Sequence, residues 1–487
     1  MDSVPAAMGA PALPGELIPL NFANSFLGVG YHHLHDDSDS EDDECLALKV
    51  NPEQRPVVGI TSIPNELLAI IFELAHEVGG CPFTISTVSR HWREVALNIP
   101  CLWVKIVINS TPSLVALSAC LSRSKSSSLD VCFDGLSVDA PQSSFNQAMD
   151  LVFPHITRWR RLEVILLPPT LVQGYFLDMP IFILLSRLKG CSAPLLEHLS
   201  ISGARSHVRA LEAFAVDGAP MLTSMHLKDI SFGNLFVPMA SVTTLHLHEF
   251  RHRYDRLLSI LEASPLLTRL SLQGSVLQPF LPRSISLPSL KSLRYRFPTP
   301  VTDGGVSVHF TNCLPSISAP GLETLWLVDP TDADMNFLLK AINFSADSTK
   351  LRSLILQNAT FSQATYDKIF AAIPRITHFT MIQERTLEIW ELLCQSSVQN
   401  PWPELCSVTL AIPWLDLIIP GPESDEALLC GLLSARIAAG HPITKLRIEK
   451  RSLQNCELDR LPKLVTLEAV ETLEPWPSWS DWVTAID

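Results

Sequence analysis

From about residue 151 to near the C-terminus, one arrangement of apolar residues keeps returning: an aliphatic residue, two variable positions, then two aliphatic residues separated by a single one. Pro194 introduces Leu196, Leu199 and Ile201, and Pro220 introduces Leu222, Met225 and Leu227. Pro265, Pro288 and Pro320 introduce Leu267/Leu270/Leu272, Leu290/Leu293/Tyr295 and Leu322/Leu325/Leu327. Less regular copies carry Trp159/Leu162/Val164, Val242/Leu245/Leu247, Leu351/Leu354/Leu356 and Ile376/Phe379/Met381. The last three are Leu405/Val408/Leu410, Ile443/Leu446/Ile448 and Leu464/Leu467/Ala469. A two-residue alternation is the period of a strand with one face in an apolar core. Helix-spaced stretches at 254–262, 335–342 and 366–373 separate some of these strands. The copies recur roughly every 28 residues, and a unit of that size cannot bury its apolar face alone. The pattern therefore predicts an α/β solenoid with a parallel sheet. A doubly wound α/β enzyme would need Gly-rich turns after its strands, and the sequence has none there.

The segment 57–108 follows a different rhythm. Pro64 suits the start of a helix, and Leu67, Leu68, Ile71, Phe72 and Leu74 or Ala75 recur at helical spacing. Gly79, Gly80 and Pro82 interrupt it. A second helix is predicted with Ile85, Val88, Trp92 and Val95/Ala96 on one stripe, ended by Pro100, with Leu102-Trp103 as a short apolar plug. About fifty residues in such small helices cannot bury their own apolar faces well, so they dock on the rest of the chain or on a partner. Residues 109–150 read as a transition, with a helix around Leu114–Leu121 and a strand at Leu129, Val131 and Phe133.

Composition narrows the function classes. Hydrophobic residues make up 47% and charged residues 18% of the 487-residue chain, so most of it should fold. The formal charge of −14 argues against a general nucleic-acid binder, which needs a clustered basic surface. The 11 cysteines are scattered without any Cys-x-x-Cys pair, as expected for buried thiols in a reducing compartment. No apolar run reaches the length of a membrane span and no secretory leader is visible, so the chain is expected in the cytoplasm or nucleus. Residues 1–56, with the acidic run Asp36–Glu44, read as a disordered spacer.

The ordered set Ile63, Pro64, Asn65, Glu66, Leu67, Leu68, Ile71, Phe72, then Val88, Ser89, Arg90, Trp92, Arg93, Ala96, then Leu102 and Trp103 resembles the F-box, in particular the F-box-like domains abundant in mushroom-forming fungi. The repeats resemble the irregular leucine-rich repeats that often follow an F-box. The resemblance implies a small all-α domain that docks on a Skp-type adaptor of a cullin–RING ubiquitin ligase, while the repeats hold a protein to be ubiquitinated. It marks Ile63, Pro64, Leu67, Leu68, Ile71, Phe72, Val88, Trp92, Leu102 and Trp103 as adaptor-facing or domain-core residues, two roles that the sequence leaves unseparated. An alternative is a leucine-rich-repeat scaffold with no ligase link.

Since the repeated leucines point inward, the interleaved residues should line the opposite, concave face. That places His226, Lys228, His246, His248, Arg269, Arg294 and Arg296 in a basic-leaning patch flanked by Trp326, suited to an acidic or phosphorylated segment. His246 and His248 fall on a strand face without a neighbouring Cys and are read as face residues, with no metal ligation expected. Trp476, Trp479 and Trp482 read as a cap on the last repeat. No G-x-S-x-G elbow, H-E-x-x-H helix or phosphate loop occurs, so a binding protein without a cofactor is expected rather than an enzyme.

Overall fold

The computed structural model describes residues 63–470 apart from 78–80, 110–111, 137–141, 167–178, 213, 216, 253, 277–284, 298–316, 342–349, 360, 383–400, 412–424 and 451–460. The acidic segment 1–56 and the three C-terminal tryptophans lie outside the described residues.

The chain enters through helix α1 (Asn65–Glu77), with the Pro64 carbonyl accepting from the amides of Leu67 and Leu68 at 3.1 and 3.0 Å. The single second helix expected from periodicity is two pieces, α2 (Pro82–Ile85) and α3 (Arg90–Leu97). Hydroxyls divide them. Ser86 Oγ donates to the Phe83 carbonyl at 2.8 Å, and Ser89 Oγ caps α3 by accepting from the Trp92 amide at 3.1 Å. Pro100 does not end a helix; it opens a 3-10 turn, Pro100–Trp103.

The remainder is a mixed α/β array built on one sheet of fourteen described strands, all paired in parallel and in chain order. They are β1 (Lys105–Ile108), β2 (Leu129–Leu136), β3 (Trp159–Leu166), β4 (His198–Glu212), β5 (Ser224–Phe236), β6 (Thr244–His252) and β7 (Arg269–Val276). There follow β9 (Ser292–Arg296), β11 (Thr324–Val328), β12 (Ser353–Gln357), β13 (His378–Ile382), β14 (Ser407–Ala411), β15 (Lys445–Glu449) and β16 (Thr466–Val470). Two short strands, β8 (Ile285–Ser286) and β10 (Ile317–Ser318), pair beside it. Parallel neighbours in strict chain order require each connection to return to the starting edge, which makes the array solenoid-like.

Each of the twelve apolar phrases is one of these strands. Two strands precede them, so the sheet begins at Lys105 and takes in the stretch 109–150 expected to be a transition. β1 carries a weak signal, with only Ile106 and Ile108 alternating before Pro112, and β2 has the alternation without the lead-in leucine. Helices α4 (Leu114–Arg123), α5 (Gln142–Val152), α6 (Met179–Leu188), α7 (Tyr254–Glu262), α8 (Asp332–Ala341), α9 (Gln363–Ala372) and α10 (Asp425–Ala438) fall between strands. Their inward residues, such as Leu117, Leu184, Leu257 and Ile369, share one continuous core with the strand leucines, from Leu68 to Val465.

Two local devices hold successive turns in register. The residue before several strands is a threonine whose hydroxyl donates to the equivalent carbonyl one turn earlier: Thr223 to Glu197 (3.2 Å), Thr243 to Thr223 (3.2 Å), Thr268 to Thr243 (3.0 Å), Thr377 to Arg352 (3.2 Å) and Thr444 to Cys406 (3.1 Å). At the other end, Asp329 and Asn358 leave β11 and β12 in the left-handed region, φ 54° and 52°, and Asp229 takes φ 55° within β5, a conformation that Asp and Asn tolerate better than other side chains. Near the C-terminal end, the buried Arg436 guanidinium donates to the carbonyls of Pro401 (2.8 Å), Trp402 (2.7 Å) and His441 (3.2 Å). It thereby fixes Trp402, which sits at φ 52° against Phe370 and Phe379. Replacing Arg436 with Met leaves those carbonyls buried without their donor. Urea denaturation should show a loss of about 2–3 kcal/mol.

Candidate binding surfaces

α1 is apolar on two sides. Leu68 and Phe72 are buried, with Phe72 against Trp92 at a ring-centroid distance of 4.9 Å. The outer stripe is Leu67, Ile70, Ile71 and Leu74, which are 52%, 53%, 45% and 57% exposed. Their spacing (i, i+3, i+4, i+7) puts them on one helix face. Val88, in the turn between α2 and α3, is 56% exposed. Single exposed aliphatics are ordinary, whereas these four lie side by side as a contiguous apolar stripe.

This divides the residues that the sequence left together. Pro64, Leu67, Ile71 and Val88 face outward, whereas Leu68, Phe72, Leu102 and Trp103 are buried and Ile63 and Trp92 are half-buried against the core. The buried four therefore cannot meet a partner directly. Trp103 anchors the helical segment to the sheet: its Nε1 donates to the Ala96 carbonyl at 2.9 Å, Phe83 meets its edge at 5.1 Å, and the Arg123 guanidinium of α4 lies 4.3 Å above its ring. Ile70 and Leu74 join the outer stripe. Ile70 falls outside the motif and Leu74 shares its helical spacing with the buried Leu68 and Phe72, so only the packing shows that both are exposed.

On the sheet face opposite the core, strand register lines the interleaved residues into one row across all fourteen strands. It runs Val107, Cys132, Glu163, Ser200, His226, His246, Ser271, then Arg294, Trp326, Ile355, Thr380, Thr409, Arg447 and Glu468. The row is as expected from the alternation, but its solvation is not. His226, His246, Ser271, Trp326 and Ile355 are buried, so they form no open basic groove.

Three histidines meet here. The rings of His226, His246 and His248 contact edge to face at centroid distances of 5.2–5.9 Å. His226 Nδ1 lies 3.2 Å from Ser200 Oγ, and His248 Nε2 lies 3.2 Å from Ser271 Oγ. Burial, reinforced by Lys228, lowers the His226 pKa to about 4; burial, then His226, Arg294 and Arg269, lower that of His246 to about 3. His248 is pushed well below its usual value by burial and by its two histidine neighbours. The trio is neutral at physiological pH and adds no charge to the patch. Among the described residues, no group of three or more His, Cys, Asp or Glu side chains is placed to hold a metal ion.

The remaining cations differ in role. Arg294 stacks its guanidinium 4.0 Å above the buried Trp326 ring, and Trp326 packs with Val328 and Ile355 in a second small apolar cluster. Arg296 Nε donates to Asp329 Oδ2 at 2.8 Å and is thereby neutralised. Lys228 and Arg269 remain exposed. Toward the end of the row, Glu468 pairs with Lys445 (3.0 Å) and Arg447 (3.1 Å).

The histidines predict an acid-sensitive fold. In the unfolded chain they take up protons below about pH 6.5, while folded His226 and His246 resist until about 4 and 3. Stability is therefore full above 6.5 and lost as pH falls through that window, by about 1 kcal/mol per pH unit for each histidine. Urea midpoints between pH 6.5 and 5 should fall more steeply for the parent protein than for His226→Asn or His246→Asn.

No family model matches the chain, and no curated protein matches it. Among solved structures, a crystal structure of a protein from Bacteroides fragilis is similar at 16% identity and a TM-score of 0.30, over 57% of this chain and 66% of that one. The matched part thus spans just under two thirds of the Bacteroides protein, and a likeness this faint carries no argument about fold or function. No helix among the described residues is long and apolar enough to cross a membrane.

Proposed function

We infer that this chain is a substrate-recognition subunit of an SCF-type cullin–RING ubiquitin ligase, docking a Skp-type adaptor through an F-box-like segment and a target protein through leucine-rich-repeat-like strands. The observation that carries the reading is the outer stripe of α1. Leu67, Ile70, Ile71 and Leu74 form an unburied apolar face on a helix whose other side is already anchored by Leu68 and Phe72. Covering the exposed part of each such side chain is worth about 1 kcal/mol, so the stripe favours a protein partner by several kcal/mol before any polar contact. The motif resemblance supports that partner being a Skp-type adaptor, since Pro64, Leu67, Ile71 and Val88 belong both to the motif and to the exposed set. Lys228 and Arg269 are the exposed cations beside the histidine cluster and serve as the contact for an acidic target segment.

If no adaptor binds the intact chain, the scaffold reading without a ligase link takes its place. Co-purification with the organism's Skp-type adaptor separates the two. Ile70→Glu with Leu74→Glu should abolish adaptor capture while leaving the thermal midpoint of the protein within a degree or two. Phe72→Ala, by contrast, should lower stability by about 3 kcal/mol. Adaptor capture that survives the double glutamate variant would refute docking through α1.

For the target, Lys228→Glu with Arg269→Glu should remove proteins that accumulate near the chain under proteasome inhibition, as read by proximity labelling, with adaptor binding intact. An unchanged labelling profile would reject the assignment of these two cations.

A further inference from the structure

Beside the outer stripe of α1, between that helix and α3, lies a slot of about 370 Å³. Glu66 of α1 and Glu94 of α3 line it together with Ala69 and Val95. Both glutamates are exposed, Ala69 is half-buried and Val95 is buried, so the carboxylates form the rim and the apolar groups the floor. His91 and Asn98 add neutral acceptors. His91 Nε2 is enclosed and makes no hydrogen bond, and Asn98, whose Nδ2 donates to the Glu94 carbonyl at 2.9 Å, keeps its Oδ1 to accept. Among the described residues, no lysine or arginine lines the slot, and neither glutamate is ion-paired. Ile70 follows Glu66 by one helical turn, so the slot borders the apolar stripe directly.

We propose that this slot receives an arginine side chain of the protein that covers the α1 stripe, which rests on the docking of an adaptor there. The arginine lies lengthwise, its methylene groups on Ala69 and Val95 and its guanidinium between Glu66 and Glu94. Its five N–H donors suit a slot with two carboxylates, the Asn98 amide oxygen and the unsatisfied His91 nitrogen, and a lysine ammonium has fewer donors and holds its water more tightly. The charge is on one side only. Glu73 and Glu77 continue the exposed acidic flank beyond the slot, whereas Ala75 marks the opposite flank of the stripe. An apolar stripe alone lets a partner sit either way round, and a charged contact along one flank fixes the orientation.

The test is the affinity of the intact chain for the organism's Skp-type adaptor. Glu66→Gln with Glu94→Gln keeps side-chain size and removes the charge. It should weaken binding about tenfold and flatten the salt dependence of the association rate, with the thermal midpoint unchanged within a degree or two. Glu73→Gln with Glu77→Gln, outside the slot, should change affinity less than about twofold. Exposed arginines of the adaptor are then replaced with glutamine one at a time. One replacement should reproduce the tenfold loss and cost nothing further against the Glu66/Glu94 variant. That arm leaves this chain unaltered, so it stays decisive even if the glutamine variants are unstable. Full affinity in the Glu66/Glu94 variant overturns the arginine slot and leaves docking through α1 standing, whereas an intact chain that binds no adaptor sinks both. An equal loss in the Glu73/Glu77 variant, or coupling to an adaptor lysine with every arginine dispensable, also overturns the proposal.

Discussion

Everything in this protein depends on the burial of one apolar face by stacking. A strand such as Leu325-Trp-Leu327 has no sheet partner within its own repeat; its amides and carbonyls are satisfied by β9 on one side and β12 on the other. Its leucines are covered only because the neighbouring turns put theirs beside them and helices such as α8 and α9 close the layer. Stability is thus a nearest-neighbour property, and the chain can be long without a large compact core. The threonine hydroxyls that reach back to Glu197, Thr223, Thr243, Arg352 and Cys406 reinforce this register one turn at a time.

The N-terminal helices borrow the same core. Leu68, Phe72, Leu102 and Trp103 join it, and Arg123 of α4 holds the Trp103 ring from the sheet side. This anchoring uses one side of α1 and leaves the other apolar and uncovered. A helix so placed is oriented rigidly by its buried half, which favours a partner by reducing the disorder that binding must remove. A cavity walled by Phe83, Leu102, Ile106 and Leu117 sits at the same junction.

The sheet face opposite the core is less accessible than its polar residues suggest. His226, His246 and His248 crowd one another, and burial keeps them neutral. Trp326, Val328 and Ile355 form a second apolar cluster, on which Arg294 stacks. Charge that a linear reading would place in solution is instead stacked, as in Arg294, or paired, as in Arg296 with Asp329.

The sequence by itself determined the repeat, because alternation at positions such as Leu245/Leu247 or Phe379/Met381 has a single physical meaning when it recurs twelve times. It also determined which residues share the row opposite the core, since the repeated phrase aligns the same position of every strand. The threonine ladder is written in the sequence as Leu-Thr, Val-Thr or Ile-Thr before β5, β6, β7, β13 and β15, but it has no evident role until the carbonyl that each hydroxyl meets is known. Only tertiary structure decided solvation. Periodicity assigns a residue to a face and is silent on whether that face is covered, so His226 and Trp326 read as exposed and are buried. For α1 the same limit acted in reverse: apolar residues at 67, 68, 70, 71, 72 and 74 surround much of the helix, and packing alone separates the anchored Leu68 and Phe72 from the uncovered Leu67, Ile70, Ile71 and Leu74. Burial depends on neighbours distant in sequence, and no local pattern encodes them.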